Sequence, residues 1–399
     1  MPSLSNPRGG GAVRHDREQQ MGWFGWKAGR GEARPVLGRV ATGVAAAAGS
    51  IRTGGPASWE AQVREGYLAN PVAQRAVRIV AEGVGSAPLS ASDPRLTALL
   101  GARSGGQTLM ETVAAQLLLH GNAFVQLLGD GAGSDGFGGV GELYALRPDR
   151  VRVEPDARGW PAAYRYAVGE RIERLAAEDA RGRPLVVQVK TFHPTDDHYG
   201  LGCLGAAGGA IAAHNAAAQW NAALMNNAAR PSGALVHDAK DGSVLSADQF
   251  ARLKEEMQAG FQGAANAGRP MLLEGGLKWQ AMSLTPAEMD FVGLKAAAAR
   301  EIALAFGVPP MLLGLPGDAT YANYREANRA LWRLTVLPLA TLILDALAGA
   351  LDAWVPGAAL AVDVNRVPAL SEDRERLWRQ VAAADFLSRA EKRALLGLG

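Results

Sequence analysis

Residues 285–314 read TPAEMDFVGLKAAAAREIALAFGVPPMLLG, and their punctuation decides how the rest of the chain is read. Thr285 is an N-cap residue with Glu288 three positions on, the spacing of a capping box, and Pro286 falls at the first helical position. Phe291, Leu294, Ala298, Ile302 and Phe306 recur at steps of three and four, which predicts one apolar helix stripe with Lys295, Arg300 and Glu301 off it. Gly307 suits a left-handed cap, and Pro309-Pro310 forbid continuation. A glycine- and proline-broken loop then leads into a second long helix. The unit is helix, stop, exposed loop, helix, and it holds no reactive constellation.

Upstream, residues 203–230 are helical and poor in charge, with Leu204, Ile211, Ala218 and Met225 seven apart among Ala, Gly and Asn. Small residues let helices approach closely, so this helix is expected to be covered on more than one side. Between the two helices, GALVH predicts a strand, and Ser246 with Gln249 predicts a capping box. The helix it opens carries a stripe of Phe250, Leu253 and Met257, and two short strands around Gly275-Gly276 complete a β-α-β insertion.

Nearer the N-terminus, Asn70-Pro71 is an N-cap with proline at N1, opening a helix through Val84 whose Val72, Ala76, Ile79 and Val80 share a side. Thr108 and Glu111 predict another capping box, for a helix ended by Gly121. From Asn122 to Phe192 the period switches to two, giving turn-rich strands of an antiparallel sheet with one solvated face. Residues 1–55, rich in Gly, Arg, Pro and Ala, read as a disordered arm. Downstream, a helix from about Tyr321 to Asp352 is expected to kink at Pro338. The C-terminus is helical again, with a last capping box at Ser388 and Glu391. The fold class is α+β.

The chain has 399 residues, 48% of them apolar, and a net charge of +2. That balance excludes a strongly basic nucleic-acid coat while leaving local DNA contacts open. A single cysteine, Cys203, excludes an internal disulfide framework and a cysteine-rich zinc site. The polar start suggests no signal peptide. The apolar run Leu334 to Leu344, flanked by Arg333 and Asp345, is too short to span a bilayer, so a soluble chain with no membrane partner is expected.

Two motifs invite chemistry. Gly200, Gly202 and Gly205 form a G-x-G-x-x-G before a helix, the basis of an alternative reading as a nucleotide-binding enzyme. That reading needs a strand running directly into the glycines and an acid about 20 positions on. The predicted strand stops near Phe192, and positions 220–230 hold no Asp or Glu. His193, Asp196, Asp197 and His198 are the one metal-like cluster, but they lack a known ligand spacing and read as a polar loop. No P-loop, G-x-S-x-G or H-E-x-x-H is present, so no catalysis, metal or cofactor is expected.

REIALAFGVPPMLLG (300–314) followed by YANYREANRALWRLTVLPL (321–339) resembles the portal proteins of tailed phages, in the siphophage branch. NPVAQRAVRIVAEGVGSAPL (70–89), LLLHGNAFVQLL (117–128) and the aromatic-basic GWFGWKAGR after Met21 are similar to further family signatures. Family members carry a Gly-x-Ser-Pro-Leu-like turn where this chain has Gly202 and Cys203. The resemblance implies a wing over 56–202, stem helices over 203–230 and 285–307, and a clip over 231–284. It implies a tunnel loop over 308–322, a long kinked helix and wing return over 323–367, and a short crown over 368–399. Stem packing falls to Leu204, Ile211, Ala218, Met225, Phe291 and Ile302. The clip's partner surface falls to Arg252, Lys254, Glu255 and Glu256. The DNA channel falls to Gly314, Leu315, Pro316, Gly317, Asp318, Ala319, Thr320 and Tyr321.

The implied function is a dodecameric ring at one capsid vertex, in a phage or a gene transfer agent, through which double-stranded DNA enters and leaves. The implied partners are the terminase large subunit, the head–tail adaptor, the major capsid protein and scaffold. The implied location is the virion, after assembly in the bacterial host cytoplasm.

Overall fold

Asn70 caps its helix as its place before Pro71 predicts. A short helix α1 (Trp59–Val63) runs into a π turn (Arg64–Leu68), and Asn70 Oδ1 then accepts from the N–H groups of Val72 and Ala73 at 3.0 Å to start α2 (Pro71–Gly85). The computed structural model describes residues 59–104, 106–129, 139–226, 233–237, 246–261, 277–281, 290–315 and 320–397.

After α2 come β1 (Leu89–Ala91), α3 (Pro94–Gly101), the two-residue strands β2 (Arg103–Ser104) and β3 (Gln107–Thr108), and α4 (Leu109–His120). Gly121, at φ +75°, ends α4 as predicted. The Thr108 capping box does not close: Thr108 makes no bond to the helix N–H groups, and its hydroxyl donates to Glu111 Oε2 at 3.2 Å instead. Helices α2 and α4 pack face to face, and Ala76, Val77, Val80, Val113, Ala114 and Leu117 are buried in the main core.

The period-two region forms two antiparallel three-stranded sheets, not one. In the first, β4 (Asn122–Gly129) is central between β5 (Val140–Leu146) and β9 (Val186–Lys190), with Phe124 opposite both Leu146 and Gln188. In the second, β7 (Pro161–Val168) is central between β6 (Val151–Pro155) and β8 (Arg171–Ala176). The 3₁₀ turn Pro148–Arg150 separates them in sequence. A small second core joins the sheets, in which Phe124 meets Tyr164 edge-on at 5.5 Å.

The Ala-rich segment is broken near its start into α5 (Cys203–Ala206) and α6 (Gly208–Asn226). β10 (Gly233–His237) pairs antiparallel with β11 (Leu277–Ala281), and α7 (Ala247–Phe261) lies between them in sequence. The next helix, α8 (Phe291–Ala305), starts later than predicted. Asp290, at φ +41°, caps it by accepting from Gly293 N–H at 3.1 Å, so the break falls at Asp290; Thr285, Pro286 and Glu288 lie outside the described residues.

The last long element is continuous from Tyr321 to Asp352: α9 (Tyr321–Leu331), a π turn (Trp332–Val336) and α10 (Leu337–Asp352). Pro338 does not break it. Leu337 N–H bonds the Trp332 carbonyl five residues back, which shifts the ladder just before the proline and places Pro338 in the first turn of α10, where no N–H is needed. At 32 residues this helix is long and apolar enough to cross a membrane, so the length of the Leu334–Leu344 run does not by itself exclude that. Its inner face, however, carries Val336, Ala340, Ile343, Leu344, Leu347 and Leu351 into the main core. β12 (Leu360–Val362) returns to pair with β1, and α11 (Ser371–Ala383) and α12 (Arg389–Leu395) close the chain. Ser388 and Glu391 form the predicted capping box.

Candidate functional site

The turn after α8 is held at both ends. Gly307, at φ +64°, lets Val308 N–H reach the Ala303 carbonyl at 2.9 Å, and Phe306 and Val308 are buried. Thr335, in the π turn, donates its hydroxyl to the Gly307 carbonyl at 2.6 Å. Pro309 then leads into a 3₁₀ turn (Pro310–Leu313) ended by Gly314 at φ +72°. Thr320 caps α9 by accepting from Asn323 N–H at 3.2 Å, so Thr320 and Tyr321 belong to the helix and not to a loop. Tyr321 is 80% exposed, and the Arg325 guanidinium lies 5.5 Å from its ring centre. Gly314 is exposed and Leu315 half-buried; Pro316, Gly317, Asp318 and Ala319 lie outside the described residues.

An ionic cluster fastens α9 to α11. Arg325 pairs with Glu372 at 2.6 Å, and the nearly buried Arg329 pairs with Glu326 at 2.9 Å, with Glu372, and with Asp373 at 3.6 Å. The pairs that cross to Glu372 stand 43 and 47 residues apart, and no local spacing announces them.

The two stem candidates lie side by side. Trp220 of α6 stacks on Phe291 of α8 at 4.3 Å, and Leu204, Ile211 and Ile302 are buried as expected. Ala218 is only half-buried; its neighbour Ala217 takes the buried position, and the side chain of Met225 lies outside the description. The predicted α8 stripe holds at Ala298, Ile302 and Phe306 but not at Leu294, which is 45% exposed. A polar contact that the apolar pattern missed ties α6 to the rest. Asn70 Nδ2 donates to Asn215 Oδ1 at 2.9 Å and lies 3.3 Å from His214 Nδ1, while Asn215 donates to the Glu65 carbonyl at 2.9 Å. Burial, and secondarily the charge of Lys295, depresses the pKa of His214, which favours the neutral ring in this network.

On α7 the predicted Ser246/Gln249 capping box forms, with bonds of 2.9 and 3.3 Å. Arg252, Lys254 and Glu255 are exposed; the side chain of Glu256 lies outside the description. Phe250, on the predicted stripe, is 61% exposed, while Leu253 is half-buried; the side chain of Met257 also lies outside.

The glycine motif is a backbone crossing and offers no phosphate cradle. A Cβ on Gly200 would fall 2.1 Å from the Gly121 carbonyl oxygen, and one on Gly202 would fall 2.6 Å from that of Leu119. Asn122 Oδ1 accepts from Gly200 N–H at 2.9 Å, which holds the crossing in place. β9 ends at Lys190, well before the glycines. In the neighbouring loop Asp196 Oδ1 is taken by the N–H groups of His198 and Tyr199 at 2.7 and 3.0 Å, and His193 accepts from Thr195 N–H at 3.2 Å. Among the described residues no group of three or more His, Cys, Asp or Glu is placed to hold a metal ion.

A family model described as phage portal protein matches residues 71–397. A chain in the neck of a native gene transfer agent particle, computed with C12 symmetry, is similar at 48% identity, covering 89% of this chain and 98% of that one with a TM-score of 0.65. A protein of Rickettsia bellii (strain RML369-C), described as uncharacterized, is 37% identical over 84% of this chain and 88% of its own length. An HK97-family phage portal protein from Corynebacterium diphtheriae has the same fold at 18% identity, with a TM-score of 0.54 and coverage of 79% of this chain.

Proposed function

Because the chain belongs to the phage portal protein family, we propose that twelve copies close into a ring at one capsid vertex of a phage or gene transfer agent particle. Double-stranded DNA passes through the centre of that ring in packaging and ejection. The observation that carries this reading is the nearly end-to-end likeness, at 48% identity, to a chain in a particle neck computed with C12 symmetry. In this reading residues 56–202 form the wing, 203–230 and 285–307 the stem, and 231–284 the clip. Residues 308–322 face the channel, 323–367 form the long helix and wing return, and 368–399 form the crown. The exposed Arg252, Lys254 and Glu255, with Glu256, present the clip to the terminase large subunit and later to the head–tail adaptor. The wing side meets the major capsid protein and scaffold during assembly in the host cytoplasm.

The role is structural and not catalytic. The stretch 313–321 contains no Lys or Arg. Each cation set against a phosphate adds salt-dependent affinity, so a ring of them would grip a polymer that must slide. Asp318 instead sets negative charge beside the DNA path. Electron microscopy of the purified protein tests the ring. Class averages with twelvefold symmetry and a central hole are expected; a monodisperse monomer, or a ring of another order, contradicts the proposal.

A further inference from the structure

The helix 321–352 is apolar enough for a bilayer, yet only 39% of its most apolar 18-residue window is buried in the folded chain. Beyond Ala330 its exposed apolar side chains follow one line, Leu334, 77% exposed, then Pro338 and Leu342 at steps of four, with Arg333, Thr341 and Asp345 exposed beside it. Leu334 also borders an open groove of about 470 Å³ between α8 and α9. Leu304, 79% exposed, faces it with Val308, Pro309, Pro310 and Ala330. The groove offers little to orient a small ligand, because its two polar side chains are already engaged, Arg300 with the Ala296 carbonyl at 3.4 Å and the Thr335 hydroxyl with the Gly307 carbonyl. Two leucines this open, on one groove and continuous with a helix stripe, mark a surface that is covered in the working molecule.

We infer that a second copy of this chain covers it, as the adjacent subunit of the ring; the inference rests on the ring reading above. A bilayer does not fit. The opposite face of the same helix is locked into the main core through Val336, Ile343, Leu344, Leu347 and Leu351, and Arg325, Glu326 and Arg329 crowd its N-terminal turns. The occupant therefore docks on a strip one helix face wide while the chain stays folded. A cyclic ring supplies such an occupant to every copy, because each subunit offers one face to one neighbour and a different face to the other. The similar chain at 48% identity comes from a neck computed with C12 symmetry, which is the arrangement that covers all copies alike.

The test uses full-length protein with Cys203→Ala and Leu334→Cys. Maleimide labelling of Cys at 334 should run at least tenfold slower in assembled rings than in protomers dissociated by salt or dilution. Equal rates in the two states overturn the inference. In a second variant, Leu304→Arg with Leu334→Arg, circular dichroism should report folded protomers while sizing and microscopy report no rings; rings as abundant as the parent's also overturn it. Flotation of parent protomers with phosphatidylcholine–phosphatidylglycerol vesicles, abolished by the double arginine variant, would identify the cover as lipid and overturn it as well. If the parent itself forms no ring, the ring reading fails first, and that outcome is visible before any variant is made.

Discussion

Gly307→Ala tests how the α8 turn is held. The residue sits at φ +64°, where a side chain costs roughly 1–2 kcal/mol. Its new Cβ would also lie 2.6 Å from the Thr335 hydroxyl oxygen, the atom that donates to the Gly307 carbonyl. Thr335 must then turn away, and the lost hydrogen bond adds about 1 kcal/mol. The sum is about 2–3 kcal/mol. Thr335→Ala removes both the clash and the bond, so in that background Gly307→Ala should cost only the backbone strain, about 1–2 kcal/mol. Equilibrium urea unfolding of dissociated protomers, followed by circular dichroism, reads all four proteins of the cycle. A coupling of about 1 kcal/mol is expected. Strict additivity, or a Gly307→Ala cost below about 0.5 kcal/mol, would refute the claim that Thr335 pins this turn.

Three further outcomes are expected. Burial, opposed by Asp149, lowers the pKa of His120 from 6.5 to about 4, so the folded chain stays unprotonated there while the unfolded chain charges. Stability is full above pH 6.5 and falls as pH drops from 6.5 to about 4, by at most about 3 kcal/mol; His120→Gln should flatten that slope in urea unfolding, and an unchanged slope would exclude His120 as its source. Charge reversal at Lys254 and Glu255 should weaken terminase or adaptor binding at least tenfold in pull-down titrations while rings persist; loss of rings would make α7 a contact between copies. Asp318→Arg rings should assemble normally but package or retain DNA abnormally, and particles that fill and eject like the parent would remove the loop from the DNA path.

What was legible in the sequence was local. Asn70-Pro71, Gly121, Ser246/Gln249, Gly307 and Ser388/Glu391 each encode a helix end within a few residues, and each forms as predicted. Thr108/Glu111 marks the right helix start with the wrong bonds, because the two side chains meet each other instead of the backbone. Asp290 took the start of α8, since a short polar side chain tolerates the left-handed region and reaches its own helix N–H. Pairings across long separations left no such mark. The division into two sheets depends on β9 returning to β4, and the α9–α11 cluster depends on two arginines meeting acids more than forty residues away. The glycine motif looked like chemistry because spacing alone does not reveal that two backbones cross at Gly200 and Gly202. Pro316–Ala319, of the proposed tunnel loop, lie outside the described residues.

The misplaced burial has one direction. Leu294 and Phe250 lie on predicted apolar stripes, yet both are exposed in one chain, and so is the Leu334–Leu342 line of the long helix. Periodicity reports that a face is covered and says nothing of what covers it. Helices α2 and α4 find their cover inside the chain, where Ala76, Val80, Val113 and Leu117 are buried. Among the described residues the outer faces of α7, α8 and α9–α10 do not. Backbone amides over 73–84 and 109–118 should therefore exchange equally slowly in rings and in dissociated protomers. Amides over 250–257 and 291–297 should gain protection only on assembly, because a helix without cover on its apolar face opens locally at little cost. Hydrogen-exchange mass spectrometry of the two states reads this difference directly. Identical protection of the two outer segments in both states would mean that the chain's fold is complete without neighbours, and that their apolar faces serve something other than the ring.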